Sequence, residues 1–340
     1  MGNPFVHWIE TQGIWAPWLF VALFLGSSFV MIWRMEAMSD QGFENTALGT
    51  LVMPYFSGMS NLMYAFILGR TGGDGADVMT NNLVNNVTDL TLVLGVPTII
   101  WGMKILPANK KKANGKKSNG TKSKGAGKTH QLNRLSLLLT LVAVIFFTGA
   151  VWAMGRKGSL DANDGFVLIG IFLFWQCFHI IEVLKSNVRQ GKSQGWMVPF
   201  DLIIVVICAY ATYVSIDWLN TWVPHCPVQF IAKNPGWVSG WLCVLPNASL
   251  ALYYGMRGQP ETVYSSQVGD CHVSIPLCLG VYTMYHTMNL PAFFHVGMWI
   301  LIISSLLHIF FVAVFGRLPK WFGVVLVFTY GYFLWKGLLK

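Results

Sequence analysis

Residues 80–95 read TNNLVNNVTDLTLVLG, and residues 265–280 read SSQVGDCHVSIPLCLG. Each is a mostly uncharged stretch with one carboxylate, Asp89 or Asp270, near its middle. Asn82, Asn85, Asn86 and Asp89 follow i, i+3, i+4, i+7 and so share one face of a helix. Ser266, Asp270 and Ser274 follow i, i+4, i+8 and do likewise. Both stretches run on into matching ends, LVLGVPT at 92–98 and LCLGVYT at 277–283, 185 residues apart. Upstream, NLMYAFILG at 61–69 aligns with NASLALYYG at 247–255, with Asn and Gly in register. The pattern is an internal repeat: an apolar helix carrying an Asn, a Gly-rich turn, a polar helix, then Leu-x-Leu-Gly-Val.

The surroundings say what solvent these faces meet. Of 340 residues, 54% are apolar and 11% charged, against about 25% charged in soluble domains. Runs of about 20 apolar residues suit helices that cross a bilayer and are too long for barrel strands. The expected fold is an all-α polytopic membrane protein of ten spans: Trp15–Trp33, Leu48–Gly69, Val78–Met103, Leu135–Met154, Gly165–Leu184, Pro199–Trp218, Val238–Met256, Val263–Met284, Ala292–Phe315 and Trp321–Trp335. The segment Met1–Gly13 carries no basic residue and no cleavage pattern, so the first span is expected to be retained.

Charge sets the orientation. The chain holds 23 Lys+Arg and 14 Asp+Glu. With both termini outside, 17 basic residues fall on the inner side and 6 on the outer, as the positive-inside rule asks. Ten of them lie in Lys104–Arg134, a Lys-, Gly-, Ser- and Asn-rich stretch without aromatics. It reads as a solvated linker, with anionic lipid as the partner its charge would attract. The expected organisation is therefore 1–103 (spans one to three), 104–134 (basic cytoplasmic linker), 135–184 (spans four and five), 185–197 (a second cytoplasmic linker) and 198–340 (the second repeat). The basic charge sits in a membrane protein's loop, which argues against nucleic-acid binding.

With these orientations, span two runs outward and span seven inward. The repeats are then inverted, five spans in each, the architecture of secondary transporters with a midplane site. Acids at membrane depth need a partner or a purpose. Carboxylate, amide and hydroxyl oxygens suit hard cations. The expected ion-binding set is Asn61, Asn85, Asp89, Asn247, Asp270 and Ser274, with Asp89 and Asp270 as the charged metal ligands. The plainer alternative for each Asn and Ser is hydrogen bonding between helices.

At these residues the chain resembles the cation/calcium exchanger superfamily, in its sodium/calcium exchanger membrane region. That family has ten helices in two inverted halves, each with a Gly-Thr-Ser-x-Pro-Glu helix and a Gly-Asn-x-x-Gly-Ser-Asn helix ending Leu-x-Leu-Gly. On this resemblance Asn81 falls on the Gly-Asn asparagine, Asn85 on the Gly-Ser serine, Asn86 on the next Asn and Asp89 on the final ligand. In the second copy Gly269 keeps the Gly, Asp270 and Cys271 take the Ser and Asn, and Ser274 the final ligand. Ser60-Asn61 and Pro246-Asn247 fall on the two Pro-Glu pairs. Both family glutamates are thus replaced by Asn, and Phe56-Ser57-Gly58 and Leu242-Cys243-Val244 stand for the Gly-Thr-Ser segments.

The resemblance implies a secondary cation antiporter moving Ca2+, Na+ or H+ without a covalent cofactor. Loss of both glutamates keeps open a transport-inactive scaffold or sensor. Other constellations are weaker. Adjacent residues on a helix point about 100° apart, so Asp270-Cys271-His272 is a poor metal site. His179 and Glu182 share a face as a simple pair. No phosphate-binding loop or nucleophile motif appears, which argues against an enzyme, and five of the six cysteines lie in spans, which argues against a disulfide framework. The expected location is the cell (inner) membrane.

Overall fold

The computed structural model describes residues 4–40, 58–105, 123–187 and 197–339. Most of the Lys104–Arg134 stretch, Phe56-Ser57, the first half of the span expected at Leu48–Gly69, and the side chains of His179 and Glu182 lie outside the described residues.

The helices are α1 (Pro4–Glu10), α2 (Ala16–Asp40), α3 (Met59–Thr71), α4 (Gly75–Thr88), α5 (Leu94–Trp101), α6 (Ser123–Met154), α7 (Ala162–Asn187), α8 (Val198–Trp222), α9 (Gln229–Lys233), α10 (Pro235–Met256), α11 (Pro260–Thr283), α12 (Phe294–Phe315) and α13 (Lys320–Leu338). A π-helical turn, Asp89–Val93, joins α4 to α5. Two-residue strands β1 (Ser159–Leu160) and β2 (Met288–Asn289) pair antiparallel. Among the described residues six stretches are long and apolar enough to cross a membrane: Gly13–Met35, Gly75–Trp101, Leu137–Lys157, Val198–His225, Phe294–Phe315 and Lys320–Leu338. This is a predominantly helical membrane fold, because in a bilayer a helix satisfies its own backbone.

The chain divides into two compact units. The first comprises Met1–Asn85, Ala153–Pro246 and Val273–Pro291. Here α2 and α8 run antiparallel. Phe20 stacks on Trp218 at 4.2 Å between ring centroids. Ser27 Oγ and Thr212 Oγ1 share a hydrogen bond of 2.8 Å, and Arg34 meets Asp201 at 3.3 Å. Apolar layers fill the intervals, Phe20 with Val214 and Leu219 and Met31 and Met35 with Val205. Glycines let α10 approach α4: a Cβ on Gly240 would lie 2.7 Å from Val84. Such small-residue contacts are the usual glue of membrane helices.

The second unit comprises Asn86–Trp152, Asn247–His272 and Ala292–Lys340. Its core places α5 and the π turn against α13, where a Cβ on Gly95 would lie 3.1 Å from the Gly323 carbonyl. Trp152, at the end of α6, meets Trp299 of α12 edge to face at 5.4 Å.

Candidate functional site

The second unit brings the two predicted acids together. The Asp89 and Asp270 side chains lie against each other, and both residues are fully buried. Two bare carboxylates in contact in a dry interior repel, so a proton or a cation must sit between them. Asn247 joins them: its amide nitrogen donates to Asp270 Oδ2 at 3.4 Å. Two acids and one amide, without a basic side chain among these contacts, make a site for positive charge.

Local chain geometry delivers these groups. Asp89 is the first residue of the π turn. That turn adds one residue to the helical cycle and re-aims the side chains after it. Thr91 Oγ1 donates back to the Val87 carbonyl within the same segment. On α10, Pro246 stands inside the helix directly before Asn247. A proline removes one backbone bond and frees a carbonyl. Pro276 interrupts α11 in the same way, six residues after Asp270.

The other predicted residues are in the first unit, and each is described there. Asn61 on α3 is buried, and its Oδ1 meets no hydrogen-bond donor among the described residues. Asn85 and Ser274 are fully buried. Asn82 acts as helix glue, its amide donating to the Ser274 carbonyl at 2.8 Å. Asn81 does the same with Ser239 Oγ at 3.0 Å.

Two features differ from the sequence expectation. Ser266 is exposed and bonds the Val263 carbonyl, so the buried stripe of α11 is Gln267, Asp270 and Ser274. The i, i+3, i+7 spacing centres that face better than i, i+4, i+8. Gln267, the neighbour of Ser266, is fully buried and donates to the Asn247 carbonyl at 3.5 Å. Its Oε1 is buried without a partner among the described residues, an oxygen one helical turn from Asp270. Second, Asp89 and Asp270 are not the only acids out of water. Asp201 is 1% exposed, paired with Arg34. Cys271 and His272 turn to separate partners, the Asn86 carbonyl at 3.8 Å and the Gly269 carbonyl at 2.6 Å. Among the described residues no three His, Cys, Asp or Glu side chains are grouped to hold a metal.

Residues 13–181 match the family model described as sodium/calcium exchanger protein. No curated protein matches the sequence. Among solved structures, the chain is similar to the sodium-calcium exchanger NCX_Mj soaked with 2.5 mM Na+ and 10 mM Sr2+: TM-score 0.61, 18% identity, 92% of this chain and 94% of that chain covered. The same exchanger with 10 mM Na+ and zero Ca2+ gives 0.60, 18% identity and coverage of 93% and 96%. With zero Na+ and Ca2+ it gives 0.55, 18% identity and coverage of 92% and 98%. At such identity the likeness is one of fold. By the family match over residues 13–181 and by its fold, the protein belongs to the cation/calcium exchanger superfamily.

Proposed function

We propose that this chain is a secondary active cation transporter, a Na+/Ca2+-exchanger-like antiporter whose ion site is built on Asp89 and Asp270. The observation that carries this reading is the buried contact of those two carboxyl groups, with Asn247 on Asp270. Their joint charge of up to 2− balances one divalent cation, two monovalent cations or two protons. Asn61, Asn85 and Ser274 enter the proposal on the family resemblance alone. The chain works as a transporter and not as an enzyme: ions bind and leave, and no bond is made or broken.

Ten spans in two inverted repeats belong to the same proposal. Two contacts support it. Ser27 meets Thr212, and Asn86 meets Cys271, each pair separated by 185 residues. This is also the offset that aligns LVLGVPT with LCLGVYT. Residues that touch their own symmetry mates lie on a two-fold axis. Inverted repeats then give alternating access by rocking one bundle about a fixed site. Both termini face outward across the cell (inner) membrane, and the Lys104–Arg134 stretch meets anionic lipid from the cytoplasmic side.

Flux of Na+ and Ca2+ into proteoliposomes tests the reading. Asp89→Asn and Asp270→Asn should each abolish it. Cation flux that survives both changes removes the site. A second reading, a transport-inactive member that keeps the fold as scaffold or sensor, rests on the resemblance, which puts Asn61 and Asn247 at the positions of the family's glutamates. Fewer charged ligands weaken divalent binding. Equilibrium binding of Na+ and Ca2+ to the purified protein separates the two, since a scaffold need bind neither.

A further inference from the structure

His308, on α12, is fully buried. Its Nε2 bonds the Leu90 carbonyl at 2.9 Å. A carbonyl can only accept, so Nε2 carries the hydrogen. Leu90 is the second residue of the π turn and the neighbour of Asp89. The ring is held edge to face by Tyr264 at 5.4 Å and by Phe322 at 5.5 Å. Nδ1 is buried without a hydrogen-bond partner among the described residues. A polar side chain in an apolar span is costly, and a leucine would pack there without that cost. What the imidazole adds is one donor, delivered to the backbone next to the site acid.

A π turn is a strained departure from the helix and usually marks a functional position. It leaves backbone carbonyls without their ordinary i+4 partner. In the membrane interior no water satisfies them. We propose that His308 is a positioning residue: its Nε2–H caps the Leu90 carbonyl, holds the π turn, and thereby fixes Asp89 against Asp270 for cation binding. The inference rests on the ion-site reading for its functional consequence. Its structural half, the capped turn, stands by itself. The class of ligand served is a hard cation, and His308 does not touch it.

The chemistry of the side chain suggests the substitutions. Glutamine places an amide N–H where Nε2 lies. Asparagine places one near Nδ1, too short to reach Leu90. Leucine fills the space with no donor. In purified full-length protein, hydrogen–deuterium exchange over 86–95 should rise in His308→Leu and His308→Asn, and stay at the wild-type level in His308→Gln. Cation affinity, titrated with NaCl and CaCl2, should fall about tenfold in Leu and Asn, the worth of one lost buried hydrogen bond, and recover in Gln. Unchanged exchange in His308→Leu overturns the proposal. So does an equal loss in Gln and Leu. If the wild-type protein binds neither ion, the ion-site reading fails, while the exchange pattern still decides the role of His308 in the turn. Should the leucine variant not fold, the wild type carries the test. In protein labelled with 15N-histidine, the His308 Nε2–H signal, assigned through His308→Gln, should move on saturation with NaCl or CaCl2. A signal that ignores both cations overturns the coupling.

Discussion

The side-chain amide of Asn247 donates to Asp270 Oδ2 at 3.4 Å. The bond is long, and long bonds are weak. Its meaning lies in what it displaces: an amide hydrogen occupies a lone pair that a cation would otherwise use. Asn247→Glu exchanges that donor for a third acid beside Asp270. Divalent affinity follows the count of charged ligands, so Ca2+ binding should tighten by about tenfold or more relative to Na+. Isothermal titration of the purified protein with CaCl2 and NaCl checks it. Unchanged Ca2+ affinity would place residue 247 away from the ion.

Much of this arrangement was legible in the sequence, for a physical reason. An acid in an apolar run is expensive, so Asp89 and Asp270 stood out. Asn82, Asn85 and Asn86 are buried, but so is every residue from 78 to 91, so burial does not single out the face that periodicity gives them. What periodicity does not carry is any break in the period. The π turn at Asp89–Val93 changes the phase by one residue, and nothing in DLTLV announces it. The stripe on α11 slipped by one position for a similar reason: Ser266 and Gln267 are both polar, and only packing decides which one is buried. Asp201 and His308 were hidden differently. Each is a lone polar residue whose partner, Arg34 or the Leu90 carbonyl, lies 167 or 218 residues away.

Asp201 gives the second prediction. It is 1% exposed on its side chain, and Arg34, which faces it at 3.3 Å, is 24% exposed. The Arg34 guanidinium also lies 4.2 Å from the centre of the Trp33 ring. Removing one member strands a charge out of water, which costs about 3–5 kcal/mol. Arg34→Met should therefore lower the denaturation midpoint sharply. The pair replaced together, Arg34→Met with Asp201→Leu, should cost far less, because no orphan charge remains. A double variant as unstable as the single one would show that the pair is not what joins these helices.

The third concerns pH at the surface. Asp161 lies between β1 and α7, beside Lys157, whose Nζ is 2.6 Å from its Oδ2. That hydrogen bond holds the Asp161 carboxyl below the usual carboxylate range. A depressed folded-state value stabilises the fold above the ordinary range and loses that contribution as pH falls through the depressed value. In 13C-aspartate-labelled protein, Asp161 should titrate below about 3.9, the unperturbed value. Lys157→Ala should return it to that range. A midpoint unmoved by the substitution would assign the shift to the backbone N–H groups of Asn163 and Asp164, which also reach this carboxylate.

The fourth tests the close approach of α10 to α4, the helix that leads into the π turn. Gly236 donates its N–H to Asp77 Oδ1 at 3.2 Å. A Cβ there would sit 2.6 Å from the Asp77 carbonyl oxygen, and one on Gly240 would sit 2.7 Å from Val84 and 3.0 Å from the Asn81 carbonyl. Backbone oxygens cannot rotate aside as side chains do, so the helices themselves must part. Gly236→Ala and Gly240→Ala should each destabilise by about 1–3 kcal/mol, the range for overpacking. They should also loosen the Asn81–Ser239 bond between the same helices. Gly26→Ala is the control: a Cβ there meets nothing within 4 Å, and alanine is the better helix former by about 1 kcal/mol. Thermal midpoints in one detergent should therefore fall for the first two and hold or rise for the third. Equal midpoints across all three would mean that α10 and α4 do not need glycine to meet.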